Sequence, residues 1–129
     1  MTSTKLNIYK IESGGPLEST LTVVVGSDRK AFLGYLKKNG ASDDVRSSSS
    51  YASGMLIPPS NMDSSKHSTH YHMWLEKPDH YIILHECLHL TAEIFDYYAI
   101  DFSIKNQEMI AMTQMWWFEE ILKTIKKKK

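Results

Sequence analysis

The stretch ILHECLHLTAEIF, residues 83–95, carries the pattern His85-Glu86-Cys87-Leu88-His89 inside an apolar run. Leu84, Leu88, Thr91 and Phe95 recur at the 4-3-4 spacing of one helix face, which is expected to be the buried face. Tyr81 to Leu84, just upstream, are apolar enough to anchor that helix in a core. Pro78-Asp79 supplies a start signal and Asp101-Phe102-Ser103 a break, which predicts a helix from about 79 to 99. A second long helix follows, from about 104 to 126.

Working outward, the first half of the chain reads differently. KLNIYKI, residues 5–11, alternates like a strand, with Leu6, Ile8 and Lys10 expected on one face. The SGGP of residues 13–16 is a turn, and the β-branched STLTVVVGS of 19–27 is a buried strand. Ser27 or Asp28 caps a short helix with Ala31, Phe32, Tyr35 and Leu36 at helical spacing, stopped by Asn39-Gly40. YASGMLIP (51–58) and THYHMWLE (69–76) are expected to be a third and a fourth strand. The polar stretches 41–50 and 59–68 are expected to be mobile loops, and Lys126 to Lys129 a basic tail. The fold class is α+β: about four strands, one N-terminal helix and two long C-terminal helices in a single domain, 1–129.

Composition narrows the functional classes. The 129 residues hold 15 Lys and Arg against 15 Asp and Glu, which gives no electrostatic case for a nucleic-acid partner. No apolar run reaches the roughly 20 residues of a membrane span, and no signal peptide is visible. One cysteine, Cys87, excludes an intrachain disulfide framework and suits a reducing cytoplasm.

The chemistry lies in the motif. On a helix, His85 and His89 stand about 40° apart around the axis, one turn above each other, so both imidazoles can face one ion. Glu86 is displaced by about 100°, beside that ion rather than aimed at it. This is the arrangement of a zinc hydrolase, with two neutral imidazoles on Zn2+ and a carboxylate as general base for a metal-activated water. A chance match is expected in about one or two per cent of chains of this composition, and it need not fall on a helix. Cys87, about 200° from His85, reads as a small buried hydrophobe.

Two histidines do not complete a metal site. No histidine follows His89, and Ala92 and Phe95 stand where the metzincin metallopeptidases carry a glycine and a third histidine, so the chain does not resemble that branch. A carboxylate, or a histidine from upstream, is therefore expected. Glu93 follows the Glu86 side of the helix, Asp96 lies two turns on, and Asp101 sits in the break. Glu108, early in the last helix, has the slack to fold back over the motif and is the preferred third ligand, with Met112, Met115 and Leu122 packing on the motif helix. His70 and His72 share a face of the fourth strand, as exposed or hydrogen-bonded side chains, oxyanion donors or a separate metal pair. Tyr97 and Tyr98 are either oxyanion donors or packing between the long helices. Trp116, Trp117 and Phe118 are consecutive, so at least one is expected outside the core.

His85-Glu86-x-x-His89 followed by a helix with Glu108 resembles the gluzincin branch of the zincin metallopeptidases. Residues 80–125 also look like small HExxH proteins of phages and prophages. The resemblance implies a zinc metallopeptidase with His85, His89 and Glu108 on the metal and Glu86 as general base. It implies a peptide or protein substrate and action in the cytoplasm, that of a bacterial host if the chain is phage-encoded. The position one turn after Glu108 is Met112, where larger gluzincins often carry an acidic residue. The competing reading is a catalytically silent zincin-fold protein that binds a partner. In zincins a sheet-edge strand beside the motif helix binds the substrate backbone, and THYHMWLE, immediately before that helix, is the expected counterpart.

Overall fold

The strand Ser19–Val25 (β2) is buried almost throughout, because side chains on both of its faces are covered. In the computed structural model, which describes residues 6–14, 17–41, 53–59 and 69–127, it lies inside a four-stranded sheet. The order is β1 (Asn7–Ser13), β2, β4 (His70–Leu75), β3 (Gly54–Ile57). β1 pairs antiparallel with β2, β2 parallel with β4, and β3 antiparallel with β4. The architecture is α+β, with a mixed sheet and three helices: α1 (Arg29–Lys38), α2 (His80–Tyr97) and α3 (Gln107–Lys127). A 3₁₀ turn, Ile104–Asn106, leads into α3. Most of the stretches expected to be loops, and the last two lysines, lie outside the described residues.

The sheet divides the core in two. On one face Leu21, Val23, Val25, Tyr71, Met73 and Leu75 meet Ile83, Cys87, Leu90 and Ile94 of α2 and Trp117 and Ile121 of α3. Burying Ile83, Leu90 and Ile94 contributes on the order of 1.5–3 kcal/mol each, as an upper bound. On the other face Val24, Ile57 and Trp74 meet Phe32 and Leu36 of α1. Phe32 stacks on Trp74 at 4.6 Å between centroids, and Arg29 covers the same indole at 5.0 Å. The Trp74 Nε1–H donates to the Gly26 carbonyl at 3.0 Å, so the indole is buried with its polar atom satisfied.

In β1 the structure selects the inward face, and in the two long helices it corrects the expected one. In β1 the inward residues are Tyr9 and Ile11, while Ile8 is 51% exposed. A period of two leaves either face possible, and the partners Val23 and Leu21 select the odd-numbered one. In α2 the sheet-facing stripe is Ile83, Cys87, Leu90 and Ile94, not one through Leu84 and Leu88; Leu88 is 41% exposed, although Thr91 and Phe95 are buried as expected. In α3, Met112 and Met115 face outward, and Trp117 and Ile121 fill the core with Phe118 and Leu122 beside them. Trp116 is the exposed member of the aromatic triplet.

The helix ends have identifiable causes. Asp28 accepts from the Ala31 N–H at 3.0 Å to cap α1. Asp79 accepts from the Tyr81 and Ile82 N–H groups at 2.8 and 3.2 Å to cap α2. At the other end of α2, Ala99 has φ 58°, and the N–H groups of Ile100 and Ala99 bond the carbonyls of Phe95 and Asp96. This is a Schellman closure with alanine in the left-handed position that glycine prefers. Ala99→Gly should raise stability by about 0.5–1 kcal/mol, relief of the left-handed penalty outweighing the extra unfolded-state entropy. Urea denaturation checks it.

Candidate functional site

The motif lies in the middle of α2, and three further ties fix that helix beyond its apolar stripe. Gln114 Nε2 donates to the Leu84 carbonyl at 3.1 Å, joining α3 to α2. The Tyr98 hydroxyl donates to the Glu18 carbonyl at 2.6 Å, joining the end of α2 to the β1–β2 connection. The Tyr71 hydroxyl reaches the Glu93 carbonyl at 3.5 Å, and burial pushes its pKa up to about 12.

On this scaffold His85 and His89 are exposed, and their Nε2 atoms stand 3.2 Å apart. Two imidazoles on one tetrahedral zinc, each at 2.0–2.1 Å, hold their nitrogens about 3.3 Å apart. The pair thus already has the separation one ion requires. The same distance also suits an N–H···N bond in the metal-free chain, one ring donating and the other accepting.

Glu86 is buried at 6% exposure, one residue from His85. Burial raises its pKa; the neighbouring His89 and His85, and a hydrogen bond from the Leu56 backbone N–H, pull the other way. That N–H belongs to β3. The Glu76 N–H donates to the Ser53 carbonyl at 2.9 Å, which makes Ser53–Glu76 a hydrogen-bonded antiparallel pair. By alternation, the backbone groups of Met55 and Ile57 face β4, and those of Gly54 and Leu56 face away. Among the described residues β3 is the edge of the sheet on this side.

This corrects the assignment of the edge. His70–Leu75, expected there, is paired on both sides and lies inside the sheet. His70 and His72 are on its α1 face: the Tyr35 hydroxyl bonds His72 Nδ1 at 2.9 Å, and Thr22 Oγ1 meets His70 Nε2 at 2.6 Å. The two rings stack at 4.7 Å. The sheet separates them from the motif, so they do not serve that site.

Between β3 and α2 runs a cleft of about 390 Å³, with Gly54, Met55, Leu56 and Pro58 on one wall and His85, Glu86, His89 and Glu93 on the other. The cleft therefore gathers three of the four expected site residues. Glu108 is not brought to it. α3 packs against both α2 and β1, and Glu108 falls on the β1 side, lining a separate apolar hollow with Ser13, Leu17, Met112 and Trp116. The other carboxylate in the cleft, besides Glu86, is Glu93, four residues beyond His89. Its pKa is raised by burial and by Asp96, and lowered by His89. Sequence spacing had placed Glu93 on the Glu86 side of the helix; that side proves to be a wall of the cleft. Among the described residues no cluster of three or more His, Cys, Asp or Glu stands ready to hold a metal ion.

Cys87 points into the core, fully buried, and burial followed by the charge of Glu86 pushes its thiol up to about 12. That burial bears out the reading as a small buried hydrophobe. Tyr97 and Tyr98 lie at the end of α2 and do not line the cleft. No described helix is long and apolar enough to cross a membrane. The chain matches no protein-family model, no curated protein and no solved structure.

The cleft depends on how closely β3 approaches α2. A Cβ at Gly54 would fall on Ile82 Cγ2 and reach Glu86 Cγ at 3.4 Å. Gly54→Ala should destabilise the fold by about 1–3 kcal/mol. Gly34→Ala, in α1 with nothing within 4 Å, should stabilise it by up to about 1 kcal/mol. Opposite signs in parallel denaturation curves are the expected result.

Proposed function

We propose that the protein is a zinc-dependent hydrolase that cuts a peptide bond in an extended polypeptide lying along β3. The observation that carries this reading is the 3.2 Å separation of the two Nε2 atoms, with the buried Glu86 carboxylate beside them, in a cleft that a strand edge borders. His85 and His89 would hold the ion, and Glu93, on the same wall, is the carboxylate best placed to complete the set. When bound, zinc supplies Lewis-acid polarisation of the scissile carbonyl and lowers the pKa of water.

The protein's own residues do the rest. Glu86, with its raised pKa, takes the proton of the attacking water and passes it to the leaving amine. The Leu56 N–H orients that carboxylate. The outward N–H and C=O of Gly54 bind the substrate main chain as a neighbouring strand would.

Purified protein is expected to bind one zinc per chain and to lose it in His85→Ala and His89→Ala. Glu86→Gln should keep zinc and melting temperature while hydrolysis of an unfolded protein falls about 10²–10⁴-fold. Zinc titration also decides the third ligand: Glu93→Ala should weaken binding tenfold or more, and Glu108→Ala should leave it unchanged. The reverse result would return that role to Glu108.

A second reading draws on the absence of a ready three-ligand cluster among the described residues. In it the cleft binds a polypeptide without cutting it, and the histidines bond to each other. A biological activity that survives Glu86→Gln would favour that reading.

A further inference from the structure

We infer that the cleft selects a polypeptide by one large apolar side chain, seated in a depression between Gly54, Tyr81 and Ile82. This rests on the proposal that an extended chain lies along β3, and it adds which residue of that chain is read.

Gly54 turns both its backbone groups outward, so a chain laid antiparallel on this edge would exchange two hydrogen bonds with it. Leu56 offers only its carbonyl, because its N–H is engaged by Glu86. Gly54 is therefore the strongest docking point on the edge, and the residue opposite it is the best fixed.

The direction of that residue's side chain follows from the pleat. Opposed residues in an antiparallel pair point to the same face. The missing side chain of Gly54 would point at Ile82, so the partner's side chain also faces α2. What it meets there is a depression of about 350 Å³, lined by Ser53, Gly54, Tyr81, Ile82, His85 and Glu86. Gly54 and Ile82, in close contact, form its floor and an apolar wall, and Tyr81 stands at the rim with 86% of its surface exposed. The depression is continuous with the cleft, since Gly54, His85 and Glu86 line both. A Phe, Leu, Met or Tyr side chain fits this chemistry. A charged one would be desolvated there.

Tyr81 makes the test clean, because a side chain this exposed can be replaced without opening the core. Zinc-loaded Glu86→Gln protein, full length and unable to turn over, is used to retain peptides from a random decapeptide display library. Retained peptides should show one position enriched at least fivefold in Phe, Leu, Met and Tyr. In the double variant Glu86→Gln, Tyr81→Asp, with unchanged melting temperature, that enrichment should fall to background or shift to Lys and Arg. Retention with no apolar position, an enrichment that Tyr81→Asp leaves intact, or no retention at all would each overturn the inference. Cleavage of an unfolded protein by the parent chain, lost in Glu86→Gln, is scored separately, so the hydrolase reading stands or falls by itself.

Discussion

At Gly54 the edge strand and the motif helix come so close that only a hydrogen atom fits between them. From that approach the rest of the site follows. It brings the outward N–H of Leu56 within reach of Glu86, buries that carboxylate and raises its pKa. It also leaves the two histidines, one turn apart, on the open side of the same helix. Buried and exposed groups thus stand side by side because a helix presents them in different directions while one of its sides is pressed against a strand.

The helix can be pressed there because its other contacts are apolar or satisfied. Ile83, Cys87, Leu90 and Ile94 meet the sheet, Gln114 and Tyr98 bind carbonyls, and both ends are capped. Thr91 sits in the core with its hydroxyl donating to the Cys87 carbonyl at 2.8 Å. Glu86 is the one buried carboxyl of α2, and its cost is offset by the Leu56 N–H and by the neighbouring histidines.

Much of this was legible in the sequence. The α+β order, a cap at Ser27 or Asp28, the extent of α2 and the burial of Cys87 are local properties, set by period, capping chemistry and side-chain size. What was not legible is what depends on partners. Two stripes of α2 had helical spacing, and only the sheet shows that the one through Cys87 is covered. THYHMWLE has the aromatic alternation of an edge strand, but its pairing with β2 on one side and β3 on the other makes it central. The short GMLI of β3 gave little periodic signal, yet it forms a wall of the cleft. A fold-back brings the start of α3, and with it Glu108, near the motif; which side of α3 Glu108 occupies is a rotation about the helix axis that spacing does not settle.

The exposure of His85 and His89 has a consequence for the economy of the chain. Neither ring fills core space, and the helix that carries them is secured entirely by other residues. The fold therefore stands before an ion arrives, and zinc would add stability only by mass action, as any ligand of the native state does. Replacing either histidine would cost the architecture little. In such a protein the pair is expendable to folding, so selection can hold or release the chemistry of the site without disturbing the structure that presents it.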